Sequence, residues 1–102
     1  MENPYKNIKD NISYSRGGIT SKVIVKSEKS NATLFCMAAG TDMSEHTSTK
    51  EGIVYVLEGK GTFTLKGKPI EMKSGVIIEM EKDAVHSLSA KKDTSFLLVL
   101  HS

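Results

Sequence analysis

Two histidines of this chain sit where a small protein could do chemistry. His46 lies within Gly40–Gly59, GTDMSEHTSTKEGIVYVLEG, just ahead of a β-branched and aromatic run that closes on a glycine. His86 lies within Gly75–Leu88, GVIIEMEKDAVHSL. Neutral imidazole is the commonest metal ligand among side chains, and it also hydrogen-bonds small molecules. Two histidines, each beside a short strand, are how small barrels build a metal or ligand pocket.

The elements that would hold them read as strands. Ser21–Lys26, Ala32–Ala38, Ile53–Glu58, Thr62–Lys66, Pro69–Met72, Val76–Met80, Val85–Ala90 and Thr94–Leu100 are rich in β-branched and apolar residues. Glycine or polar turns separate them every 8–12 residues or so, the pattern of a sandwich or barrel. No window supports a long amphipathic helix and no internal repeat is visible. Residues 1–17 are polar, punctuated by Pro4 and Gly17-Gly18, and read as an irregular segment or an edge strand before a domain spanning 18–102.

A chain of 102 residues forms one domain with one modest core. Its net charge of +2 rests on scattered lysines and a single arginine, Arg16. Nucleic-acid readers use arginine forks and clustered charge, so nucleic-acid binding is not expected. The lone cysteine, Cys36, cannot form an internal disulfide, which suits a reducing compartment. MENPYKNIKD lacks the apolar core of a signal peptide, and no apolar run approaches the ~20 residues of a membrane span. A cytoplasmic protein is expected, in which the two Asn-x-Ser/Thr matches at Asn11 and Asn31 carry no meaning.

Gly52, Val54 and Val56 share one face of their strand while Ile53, Tyr55 and Leu57 share the other. Both faces are apolar, so both should be covered. The N-terminal segment or another subunit could supply the second cover, and a homodimer is expected because pairing also manages exposed sheet edges.

GTDMSEHTSTKEGIVYVLEGKGTF followed by GVIIEMEKDAVHSL resembles the two motifs of the cupin superfamily. The first motif runs glycine, five residues, His-x-His, three or four residues, glutamate, six residues, glycine; Gly40, His46 and Gly59 fall in register. The second runs glycine, five residues, proline-x-glycine, two residues, histidine, three residues, asparagine; Gly75 and His86 match it. The resemblance covers roughly residues 23–100 and implies an all-β fold, the double-stranded β-helix or cupin-type jelly-roll barrel. The departures are equally specific. Ser48 stands at the second histidine, Gly52 at the glutamate, Glu81 and Asp83 at the proline and glycine, and Ala90 at the asparagine. Of the four metal ligands usual in the family, only His46 and His86 carry over.

Two imidazoles with water completing the shell would hold an ion weakly and leave its charge uncompensated. Such a site favours zinc, copper or nickel over manganese or ferrous iron. Strand parity turns Glu51 away from the face of Gly52. A bulge at Glu51-Gly52 would turn it inward, giving the two-histidine, one-carboxylate set that suits iron. The expected metal set is therefore His46, His86 and, with that bulge, Glu51. The expected pocket residues are Ser48, Gly52, Val54, Cys36 and Met80. Against each stands a plainer reading: His46 as a solvated loop residue, His86 as a satisfied barrel-lining histidine, Ser48 as polar filler, Cys36 as a small core residue. Met37, Met43, Met72 and Met80 flank the motif strands and read as adaptable packing. Glu79 and Glu81 read as solvated surface, and Asp83 as a turn residue suited to left-handed backbone. His101 is expected to be exposed near the C-terminus. No catalytic triad and no phosphate loop has sequence support.

Three functions follow. The first is a small-molecule-binding cupin with a weakly held divalent metal (zinc, nickel, copper or iron). The second is a metal-dependent dioxygenase, isomerase or epimerase. The third is a non-catalytic sensing or accessory domain that has lost its metal. The first is preferred, because the ligand set is depleted yet both histidines remain in register.

Overall fold

The computed structural model describes residues 4–101, so residues 1–3 and 102 of the two expected segments lie outside the described residues. The strands are β1 (Ile19–Lys26), β2 (Ser30–Met37), β3 (Asp42–His46), β4 (Glu51–Glu58), β5 (Gly61–Leu65), β6 (Lys68–Met72), β7 (Ile77–Met80), β8 (His86–Ala90) and β9 (Thr94–His101). All strand pairing is antiparallel, in a five-stranded sheet of order β1-β2-β9-β4-β7 and a four-stranded sheet of order β3-β8-β5-β6. The fold is the all-β jelly roll. Before Ile19 the described chain carries only a short 3-10 turn, Ile8–Asn11. Among the described residues no helix is long and apolar enough to cross a membrane.

Alternation fixes the inner faces. Val54 and Val56 on β4 and Ile78 and Met80 on β7 are buried, whereas Ile53, Tyr55, Ile77 and Glu79 are exposed. Phe63 on β5 and Leu88 on β8 meet them from the opposite sheet in one core with Met37, Met72, Ala90 and Phe96. Phe35 and Phe96 stack across β2 and β9 with centroids 5.1 Å apart, an arrangement favourable beyond simple burial. The β5–β6 hairpin turns through Lys66 (φ 51°) and Gly67 (φ 80°), as a two-residue turn with two positive φ angles requires.

Only eight strands are expected from the apolar pattern, and the ninth is β3. DMSEH has no β-branched residue and is mostly exposed, so it lacks the signal that marks the others. It is an edge strand pairing with β8. His46 is therefore a strand residue rather than a loop residue.

Candidate metal and ligand site

The β3–β8 pairing builds the site. Met43 lies opposite Leu88 and His46 opposite His86, with a register shift between. Ser44 and Glu45 thus face the single residue Ser87, which is a β-bulge. Both bulged residues are exposed. Without the extra residue Glu45 would stand opposite His86, and His46 would alternate outward. The bulge is what brings the two imidazoles together, their ring centres 4.1 Å apart at 60°.

Each ring is fixed by the backbone. His46 Nδ1–H donates to Ser44 O (2.7 Å) and His86 Nδ1–H donates to Ala84 O (3.0 Å). A carbonyl can only accept, so in the neutral form of either ring this contact puts the proton on Nδ1. Both Nε2 lone pairs are left without a hydrogen-bond partner among the described residues. Backbone anchoring of the second nitrogen is the usual support of a metal-binding histidine. His86 is buried at 5% exposure and stacks on Phe63, centroids 5.6 Å apart and planes within 1°. His46 is exposed at the rim.

The two rings close one side of a cavity of about 60 Å³. Its other walls are Phe35, Met43, Val54, Phe63, Met80, Leu88, Phe96 and Leu98. That volume is about two water molecules at ~30 Å³ each, and the walls are apolar.

Burial lowers the pKa of His86 from its ordinary value of 6.5, and the neighbouring His46 lowers it further, against the opposing effect of the Ala84 carbonyl. The folded state therefore binds the His86 proton less readily than the unfolded chain. Its stabilising contribution is complete above about 6.5 and is lost as pH falls from there through the lower folded value. Urea unfolding midpoints should fall between pH 7 and 5 in the wild type and fall less in His86→Phe. Parallel midpoints would contradict the assignment.

The expected residues divide as follows. Val54 and Met80 line the cavity with the two histidines. Gly52 is buried on the same face of β4, but it does not border the cavity. A Cβ there would lie 2.7 Å from Leu100 Cδ2 and 3.3 Å from Met80 Cε. Leucine and methionine thus occupy the space into which a glutamate at this position would project.

Glu51 is a correction. The register of β4 against β9 is unbroken from Glu51 to Val56, and the irregularity falls later, between Val56 and Glu58. No bulge forms at Glu51-Gly52, so the Glu51 carboxylate stays on the exposed outer face, opposite His101.

Cys36 is a second correction. Phe35 and Met37 point into the barrel, and Cys36 alternates to the outer face of β2. There it is buried beside Asn11, Ser13, Thr20 and Leu34. Ser48 also lies off the cavity. Its hydroxyl accepts from Lys50 N (3.2 Å) and its carbonyl from Asp83 N (2.8 Å), tying two loops together. Asp83 adopts φ 64°, as expected of a turn aspartate. Glu81 is exposed and pairs with Lys66 at 2.8 Å.

Phe63, Phe35, Phe96, Met43, Leu88 and Leu98 also line the cavity, beyond the expected pocket residues. Phe63 had a usable signal, since it lies between Gly61 and Leu65 on the inward parity of β5.

A family model described as a cupin domain matches residues 33–101. The chain belongs to the cupin family. Among functionally curated proteins none matches the sequence. Solved structures resemble it at low identity. A cupin superfamily protein from Desulfitobacterium hafniense superposes with a TM-score of 0.87 at 18% identity, covering 99% of this chain and 92% of that one. A cupin 2 conserved barrel domain protein from Leptotrichia buccalis gives 0.88 at 24% identity, covering 95% of this chain and 47% of that one. A conserved Streptococcus pyogenes protein of unknown function gives 0.86 at 20% identity, covering 96% and 86%. These likenesses show the fold.

A metal is common in cupins, and the donor set of this one decides how far it could hold an ion. Among the described residues no cluster of three or more His, Cys, Asp or Glu side chains exists. Two imidazoles bound to one tetrahedral ion through bonds of ~2.0–2.1 Å have ring centres about 5 Å apart. Closing this pair on an ion asks the 4.1 Å separation to open by about 1 Å. The set fits a weakly held zinc, nickel or copper ion with open coordination positions. It does not fit the four-ligand centre usual in the family. Nor does it favour iron, because no carboxylate reaches it.

Proposed function

We propose that this cupin binds a small molecule in the barrel cavity, with His46 and His86 as the polar end of the site and as the two ligands of a weakly held divalent ion. The observation that carries the reading is the bulge-aligned imidazole pair, with both Nδ1 atoms anchored to carbonyls and both Nε2 atoms open. When bound, the ion would supply a Lewis-acid position for the ligand's polar group. The chain itself orients the imidazoles, keeps His86 neutral and surrounds the ligand with apolar walls.

Titration with zinc or nickel, followed through the imidazole proton resonances, tests this. His46 and His86 should move together while His101 stays. Movement of His101 alone, or of none, would count against the reading.

A homodimer and a cytoplasmic location belong to the same proposal. Ile53 and Tyr55 remain 39% and 40% exposed on the outer face of β4, and Ile77 beside them 66%. A second copy covering this face would bury them. Sedimentation as a single 11.1 kDa species at micromolar concentration would remove the dimer. The buried, unpaired Cys36 suits a reducing compartment.

A further inference from the structure

We propose that the cavity walls select compact, largely apolar molecules with a single polar head group, and reject sugars and other polyols. The inference rests on the small-molecule reading above and names the class of molecule that the site takes.

Every wall apart from His46 and His86 is an aliphatic, methionine or phenylalanine side chain. The walls from β2, β4, β5, β8 and β9 belong to strands paired on both sides, whose backbone donors and acceptors are committed to the ladders. A hydroxyl placed against Val54, Phe96 or Leu98 would lose its water and gain no partner, which is the costly case for a polar group. Only the imidazole end can satisfy a polar atom. There the open Nε2 atoms accept from a hydroxyl, or present it to an ion where one is held. One head group is therefore matched and further hydroxyls are not.

Size points the same way. A dry cavity of ~150 Å³ holds benzene, whereas this one holds about 60 Å³. Two or three non-hydrogen atoms fit within the walls at that ratio, roughly, with the head at the rim beside His46. A hexose ring does not fit without opening the barrel. The space at Gly52 that could have admitted a polar side chain is taken by Leu100 and Met80, so the walls are sealed as apolar at that point too.

Two wall residues report directly on occupancy. Met43 and Met80 line the cavity, while Met37 and Met72 lie in the core away from it. With the protein labelled at its methionine methyl carbons, propan-1-ol and glycerol are titrated separately, with and without zinc. The two share a three-carbon skeleton and differ by two hydroxyls. Propan-1-ol should shift the Met43 and Met80 methyls, leave Met37 and Met72 in place, and bind at least tenfold more tightly than glycerol. Glycerol binding as tightly, at the same methyls, would overturn the selectivity while leaving the small-molecule reading intact. No shift with either molecule, while zinc still moves His46 and His86, would overturn the inference and confine the site to the ion. No response to zinc or to either molecule would overturn both.

Discussion

Gly59→Ala is expected to be among the most damaging single substitutions in this protein, lowering stability by about 3–5 kcal/mol. Gly75→Ala should cost only about 1–2 kcal/mol. Gly59 closes the first motif segment and Gly75 opens the second, and both have positive φ, +113° and +93°. Backbone strain therefore applies to each. Their surroundings differ. A Cβ at Gly59 would come within 2.5 Å of Asp93 O and of Thr94 Cα, whereas nothing lies within 4 Å of one at Gly75.

The corner around Gly59 cannot retreat. Thr94 is fully buried, and its hydroxyl donates to Lys92 O (2.7 Å) and accepts from Lys60 N (3.1 Å). Lys91 N and Lys92 N both donate to Lys60 O. Asp93 is itself tied down by Ala39 N, at 2.9 Å. Urea unfolding of the two variants reads the difference. Equal losses would show that strain alone acts at Gly59 and that the packing there yields.

His86→Ala should weaken zinc or nickel binding at least tenfold, and His46→Ala should do the same. Each removes one of two imidazoles, and among the described residues no third His, Cys, Asp or Glu side chain joins them. Glu51→Gln should change nothing, because the carboxylate is exposed and faces away from the cavity. The three variants together separate a site made by the imidazole pair from adventitious binding at surface groups. Unchanged affinity in His86→Ala would place the ion elsewhere. A loss in Glu51→Gln would bring that carboxylate back into the site and require β4 to shift register.

Much of the barrel was legible because its strands advertise themselves. Ile53–Glu58 and Thr94–Leu100 carry the β-branched and apolar residues of central strands, and the glycine turns mark their ends. β3 was not legible, because an exposed edge strand such as DMSEH buries too little to need an apolar pattern. The site was legible in half. Motif spacing located His46 and His86, but whether their rings meet depends on a bulge. A bulge is a mismatch between two strands, and one strand's sequence does not reveal it. A glycine makes Glu51-Gly52 a candidate bulge that would turn Glu51 inward, against the outward parity of its strand, whereas the bulge lies at Ser44-Glu45, where no glycine marks it. Parity holds on β4, and it is His46 that the bulge turns inward. Cys36 shows the same limit. Apolar neighbours on both sides hid which face of β2 lines the cavity, and only the pairing with β9 resolves it.

The central claim is that His46 and His86 form a two-nitrogen site for a divalent ion. Elemental analysis of untagged protein, purified without chelators beside the His46→Ala/His86→Ala double variant, tests it most directly. Zinc, nickel or copper is expected in the wild type, taken up on soaking if not already present and lost from the double variant. Wild-type protein that stays free of metal after soaking with all three ions, or a double variant that retains as much as the wild type, would contradict it.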